Sequence, residues 1–324
     1  MTRSKSIEGG TVFGKSSQGR RSWRSGVVGL SALALVVAAG VTPAFADPNI
    51  QLPGVDDSLP NCAVLKGRAL AGYIGTGEPK PTRPIDETFH TPPVNDWCNT
   101  NVGYSQASYG PNGVTFMVPP TVEGLFPYNN SEILAKPIFE QGQTMTMRVS
   151  GTEEIKTWNG TTGWGVSNRS IDPLGLEIAW FMYNGSAGLV GAGSTLTTPF
   201  FHAFAQDMPK GFFMMVKRAG SLLPQVVSLP TSILDNPHDY AVRLDNKYAY
   251  FYVDGKEVGV FADAPFGGWT DISGGKVPMM GQMWLDSSYW FPLPIPEFNG
   301  RWQTATLEHY RQGPSESTPL IFED

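Results

Sequence analysis

The chain is 324 residues long and carries 23 Lys and Arg against 29 Asp and Glu, a formal net charge of −6. The first 46 residues hold six of the basic side chains and one of the acids, so the remainder bears 17 basic against 28 acidic groups, a net charge of −11. A surface of that sign repels phosphate backbones, and with no basic stripe and no zinc-ligand spacing it excludes nucleic acid as a partner.

In chain order, Arg20 and Arg21 precede an apolar stretch from Val27 to Val41, and Ala44-Phe45-Ala46 forms an A-x-A cleavage site before Asp47. The apolar stretch of about 15 residues falls short of the roughly 20 that span a bilayer. Residues 1–46 therefore read as an export signal and not an anchor, and the paired arginines point to twin-arginine export. The mature protein is expected to be secreted, with no membrane span after cleavage. Cys62 and Cys98 are the only cysteines, and both lie in the exported part, where an oxidising compartment pairs them. The rival reading, a catalytic thiol, lacks a neighbouring histidine in a nucleophile-like motif; the nearest, His90, stands in a Pro-rich stretch.

Residues 47–104 are rich in Pro, Gly and Asp and read as an irregular extension laid over the main domain, stapled by the disulfide. Pro79, Pro81, Pro84, Pro92 and Pro93 argue against any regular strand or helix between Thr76 and Pro93. Residues 105–313 then deliver short strands at regular intervals. They are predicted at Val114–Val118, Ser131–Phe139, Met145–Ser150, Leu176–Met182, Phe200–Ala205, Phe212–Lys217, Gln225–Leu229, Met279–Leu285 and Gln303–Tyr310. Residues 314–324 form a polar, acidic tail, expected to fray. With 37 Gly, 27 Pro, 16% charged residues and no heptads or internal repeat, the chain is all-β.

The most informative run is HDYAVRLDNKYAYFYVDGKEVGVF, His238 to Phe261. Tyr240, Val242 and Leu244 alternate with Ala241, Arg243 and Asp245, and Tyr248–Val253 is aromatic and β-branched, as a strand prefers. Short connections at Asp245-Asn246-Lys247 and Asp254-Gly255 make the run a three-stranded antiparallel meander. His238, Tyr240, Phe251, Tyr252, Val253, Asp254, Gly255 and Val258 resemble the back-sheet signature of concanavalin-A-like jelly rolls, carried by family-16 glycoside hydrolases of the laminarinase and lichenase type. The last strand, Ala305–Arg311, stands where that family closes. The resemblance covers roughly residues 105–312 and implies a β-sandwich (jelly roll) of two antiparallel sheets.

In that family the active strand reads E-[IL]-D-x-(x)-E, and its acids share one concave face. One carboxylate attacks the sugar while another protonates the leaving oxygen, about 5–5.5 Å away in retaining enzymes. Here Gly163-Trp164-Gly165 precedes Leu176-Glu177-Ile178-Ala179-Trp180-Phe181-Met182. Glu177-Ile178 matches the first acid and its neighbour, but Ala179 replaces the Asp, and Phe181 or Met182 replaces the second Glu. The double displacement therefore lacks its acid/base, which argues against hydrolysis.

A substitute acid would come from Asp207, Asp271, Asp286 or Glu297. Asp286, after the strand Met283-Trp284-Leu285, is the candidate partner of Glu177; the competing reading makes Asp286-Ser287-Ser288 a polar turn. A lyase would need His202 as a catalytic group and a cationic cluster for the uronate, which this acidic chain does not offer. The aromatic inventory remains. Pyranose faces stack on indole or phenol rings while amides and carboxylates bind the hydroxyls. Trp164, Phe181, His202, Trp284 and Trp290 are the candidate cleft residues, with Asn184 beside Asn159, Asn168 and Gln282 as polar partners. By alternation Trp180 is assigned to the core and Phe181 to the cleft, taking Glu177 as cleft-facing. The resemblance also implies a structural calcium on the convex side, near Glu308; no other cofactor is expected. The expected function is non-hydrolytic binding of a polysaccharide or cell-wall glycan. Two alternatives stand beside it: a divergent glycan-degrading enzyme using Glu177, and a structural or adhesive surface protein without a sugar ligand.

Overall fold

The computed structural model describes Leu59, Pro60, Cys62 and residues 79–102, 105–120, 129–158, 160–168, 175–185, 209–221, 224–245, 247–262, 278–286 and 302–323. The leader, the predicted strand at Phe200–Ala205, and His202, Trp290, Asn159, Asp207, Asp271 and Glu297 lie outside these residues.

Fifteen strands are present among them: β1 (Ile85–Glu87), β2 (Trp97–Val102), β3 (Gln106–Gly110), β4 (Gly113–Val118), β5 (Asn130–Ala135), β6 (Gln143–Ser150), β7 (Thr161–Ser167), β8 (Ile178–Asn184), β9 (Gly211–Lys217), β10 (Gln225–Leu229), β11 (His238–Asp245), β12 (Tyr248–Val253), β13 (Lys256–Ala262), β14 (Met280–Asp286) and β15 (Gln303–Pro314). They form two antiparallel sheets. The eight-stranded sheet runs β13-β12-β11-β6-β15-β4-β3, with β1 added on β15; the seven-stranded sheet runs β10-β9-β8-β7-β14-β5-β2. This is the β-sandwich expected of a jelly roll.

The meander folds as read. Tyr240 faces Val253 and Val242 faces Phe251 across β11 and β12. Asp254 and Gly255 both take positive φ, 49° and 72°, the mirror-image turn that matches the right-handed twist of the flanking strands. The N-terminal segment departs from expectation. Despite its prolines, it contributes β1 at Ile85–Glu87 on β15, and Trp97–Val102 is the edge strand of the seven-stranded sheet. Both belong to the sandwich. Prolines flank β1 without interrupting it, and its three residues leave the ladder before the next proline is reached.

Cys62 and Cys98 are joined, with Cα atoms 5.0 Å apart. Around the bridge, the Cys62 amide donates to the Asn99 carbonyl (2.7 Å) and the Asn99 amide donates to the Pro60 carbonyl (3.1 Å). The disulfide thus holds residues 60–62 against β2.

Between the sheets lies an aromatic core. The Trp164 ring centroid is 4.7 Å from that of Tyr240, and Phe181 is 5.0 Å from both Tyr240 and Phe251. At the other end Trp97 makes edge contacts with Phe89 at 4.9 Å and Tyr310 at 4.7 Å. Burying such rings supplies most of the drive for the two sheets to close, on the order of 1.5–3 kcal/mol for each large side chain.

The tail does not fray. Residues 315–322 cross the outer face of the eight-stranded sheet, where the Thr146 hydroxyl donates to the Pro319 carbonyl (2.7 Å). Phe322 closes the strap. Its amide donates to Asp239 (2.8 Å), its carbonyl accepts from Arg148 (3.1 Å), and its ring stacks on His309 with centroids 3.9 Å apart. Composition predicted fraying because it reads only the acids; the apolar residue among them decides the outcome.

Candidate functional site

The centre of the seven-stranded sheet is buried on both faces: every residue of β7, β8 and β14 is buried. Its register fixes which side chains share the outward face. One cross-strand row reads Thr100, Glu132, Trp284, Gly163, Met182, Phe213. The next reads Asn130, Asp286, Thr161, Asn184, and a third Cys98, Leu134, Gln282, Gly165, Trp180, Met215. The face therefore has two halves. Over β8 and β9 it is apolar, built from Ile178, Trp180, Met182, Phe213 and Met215 with Trp284. At Thr100, Asn130, Glu132 and Asp286, toward one end of β2, β5 and β14, it is polar, while Cys98, Leu134 and Met280 beside them form a second apolar cluster.

Two glycines of β7 make room for the aromatic pair. A Cβ on Gly163 would stand 2.3 Å from Cη2 of Trp284, and one on Gly165 would stand 2.9 Å from Cδ1 of Trp180. Gly165 also has φ +151°, where a side chain is strained. The indoles consequently lie over the backbone of β7, with ring centroids 4.7 Å apart and planes inclined by 58°. Trp284 and Asp286 both lean toward β7: Trp284 Nε1 donates to the Thr161 hydroxyl at 3.4 Å, and Asp286 accepts from the Thr161 amide at 3.2 Å and from its hydroxyl.

The assignment of faces on β8 is the reverse of the expected one. Ala179, Phe181 and Tyr183 point into the core between the sheets, together with Trp164 of β7. Trp164 and Phe181 are therefore core residues and not cleft residues, while Trp180 belongs to the outward face. Glu177 lies just before β8, shares its parity with the core-facing set, and is held by the Asn168 side chain, whose Oδ1 accepts from the Glu177 amide at 2.9 Å. Asn168 in turn donates to the Gly175 carbonyl (2.7 Å), so it clamps a turn and is not a sugar ligand. Lys217 closes the same end by donating to the Leu176 carbonyl (2.8 Å).

Glu177 and Asp286 do not meet. Asp286 is level with Asn184, at the far end of β8 from Glu177. Seven residues of strand separate those levels, roughly 20 Å, far beyond the 5–9 Å that two glycosidase carboxylates span. Outward positions on β8 are Ile178, Trp180, Met182 and Asn184, so this strand offers no carboxylate to the face. Asn184 is fully buried and donates to the Pro209 carbonyl at 3.3 Å. Glu308 is half-buried on β15, where the register slips between Leu307 and His309. No group of three His, Cys, Asp or Glu side chains assembles among the described residues, around Glu308 or elsewhere.

Glu132 is the residue that strand reading overlooked. It is 1% exposed, on the outward face, directly opposite both Thr100 and Trp284. A carboxylate inside the apolar run Ile133-Leu134-Ala135 was the available signal, because a charge is retained in such a strand only where something compensates it.

No protein-family model and no curated protein sequence matches the chain. Solved structures do. A Bacillus licheniformis β-glucanase aligns at 12% identity over 71% of this chain and 97% of its own, with a TM-score of 0.46. A prokaryotic β-1,3-1,4-glucanase (lichenase) from a mouse hindgut metagenome aligns at 12% over 71% and 99%, TM-score 0.47. An immunostimulatory antigen and pseudo β-1,3-glucanase of Mycobacterium tuberculosis aligns at 12% over 71% and 98%, TM-score 0.46. The β-sandwich itself rests on the strand order of the two sheets.

Proposed function

We propose that the protein is a secreted, carbohydrate-binding or cell-envelope-associated protein on a glucanase-like scaffold, and that it holds its glycan without cleaving it. One observation carries this reading: the outward face of β8 presents Ile178, Trp180, Met182 and Asn184 where the resembled enzymes carry their acids. An indole pair beside oxygen acceptors suits the apolar CH face and the hydroxyl rim of a pyranose. Pull-down on insoluble polysaccharides and a glycan array test it. Binding without release of reducing sugar is expected, and Trp284→Ala weakens binding by about tenfold, the worth of one stacked ring. Release of sugar by the purified protein overturns the non-hydrolytic reading.

A second reading, a structural or adhesive surface protein with no sugar ligand, is favoured by the burial of the same indoles: Trp180 is 5% and Trp284 1% exposed. Under it no glycan is retained at millimolar sugar, and Trp284→Ala changes stability alone.

A further inference from the structure

Aromatic rings open to solvent stand on the other sheet. The outer face of β12 carries Tyr248, Tyr250 and Tyr252, since Ala249, Phe251 and Val253 between them belong to the core. Tyr248 is 44% exposed, and so is Val260, which stands directly opposite Tyr250 on β13. On the other flank, Arg243 of β11 is the direct neighbour of Tyr250. Its guanidinium carbon lies 4.3 Å from the Tyr250 ring centroid and 5.5 Å from that of Tyr252, so the tyrosines pin the planar fork in place.

Arg243 differs from Arg148 and Arg311 on the same face. Arg148 is paired with Asp239 and Arg311 with Asp86, each at 2.8 Å. Among the described residues the Arg243 guanidinium has no ion pair and no hydrogen bond, although its Nε is buried. A buried N–H is rarely left without an acceptor. Two carboxylates are at hand and do not take it: Asp245, opposite Tyr248, and Glu257, opposite Tyr252. Burial raises the pKa of the Tyr252 phenol, and the charges of Arg243, Glu257 and Asp245 also act on it, which gathers the three around one ring. The patch thus offers unspent donors and unspent acceptors beside exposed apolar surface. An anion would satisfy Arg243 but meet two carboxylates, and a cation would meet the reverse. A hydroxyl both accepts and donates, and a sugar adds the apolar CH face that suits an open phenol ring. We propose that the outer face of β11–β13 is a carbohydrate site for a neutral glycan. Tyr248 stacks on the sugar, while Arg243, Asp245 and Glu257 bind its hydroxyls. The site takes its ligand class from the glycan-binding reading but shares no residue with the indole face.

Affinity electrophoresis of the full chain tests this, in native gels cast with a soluble glucan, mannan or xylan, and with polygalacturonate as the anionic comparison. At least one neutral polymer is expected to retard the protein, and polygalacturonate is not. Tyr248→Ala raises the dissociation constant about two- to tenfold, the worth of one stacked ring, and Arg243→Gln raises it by a similar factor. Tyr248 lies outside the core, so its variant keeps the test alive if Arg243→Gln fails to fold. No retardation by any neutral polymer, polygalacturonate as the sole ligand, or unchanged affinity in Tyr248→Ala or in a folded Arg243→Gln overturns the proposal. Trp284→Ala, run beside them, separates the two sites. Weaker binding in Trp284→Ala with Tyr248→Ala unaffected leaves the glycan on the seven-stranded sheet and sinks the outer-face site alone; the reverse places the glycan on the outer face.

Discussion

The Trp284 indole rests on Gly163, its directly opposed neighbour on β7. A methyl group there would stand 2.3 Å and 2.6 Å from Cη2 and Cζ2 of the ring and 2.8 Å from the Phe181 carbonyl, so the ring must shift while the backbone resists. Gly163→Ala should destabilise the fold by about 1–3 kcal/mol, the usual cost of overpacking. Urea unfolding followed by tryptophan fluorescence measures it. Gly110→Ala is the control: nothing lies within 4 Å of its added carbon, and a change beyond about 0.5 kcal/mol there would point to a cause other than packing.

Phe322 ties the tail to the outer sheet. Its ring stacks on His309, and the guanidinium groups of Arg148 and Arg311 lie 5.7 Å and 5.1 Å from its centroid. Phe322→Ala should cost on the order of 2–3 kcal/mol, below the loss for a fully enclosed phenylalanine, and should raise amide exchange in residues 315–321. Hydrogen exchange read by mass spectrometry decides it; protection unchanged in that segment would show that the backbone bonds to Thr146 and Asp239 suffice.

Acid should loosen the junction of β1 and β15. Partial burial pushes the Asp86 carboxyl up, but hydrogen bonds and charge from His309 and Arg311 together outweigh it and hold the group below the usual carboxylate range. A lowered pKa means that the folded state favours the ionised form. The stabilisation is complete above the unfolded value near 3.9 and is lost as pH falls through the folded value. Melting temperatures of the parent and of Asp86→Asn should therefore differ at pH 6 and converge below about pH 3. A constant gap across that span would remove Asp86 from the acid response.

Reduction should expose how much the 60–62 clamp depends on its covalent bond. Cys62 and Cys98 are 36 residues apart, a loop whose closure is worth about 3–4 kcal/mol in the chain-entropy account. Calorimetry with and without a phosphine reductant should show a lower melting temperature on reduction, reproduced by the Cys62→Ser, Cys98→Ser double variant.

The eight-stranded sheet was readable because one of its faces is wet: along β11 and β12, polarity alternates and names the inward side. On β7, β8 and β14 both faces are buried, so the same rule has nothing to act on. Choosing Glu177 as the outward marker then inverted Trp180 and Phe181, because Glu177 precedes the strand and shares the parity of its core-facing residues Ala179, Phe181 and Tyr183. β7 escaped prediction for a related reason, since Gly163 and Gly165 depress its strand propensity while serving the indoles above them. β1 and β2 were hidden by prolines that flank them. The strap was hidden by distance, Phe322 meeting Arg148 from 174 residues away. Glu132 was visible as a charge in an apolar strand, but nothing in the sequence says that Thr100 and Gln282 stand beside it.

The double burial of β7, β8 and β14 also bears on how such a chain diverges. Along β10, where residues are exposed or half-exposed, sequence drift has room at nearly every position. Along β8 no position is spare. A saturation library should show tolerance rising and falling every second residue on β4 and β15 but a flat, intolerant profile across β8. The strand that carries chemistry in the resembled enzymes would then be constrained in this protein by fit alone, and change there would have to arrive in compensating pairs, as at Gly163 with Trp284.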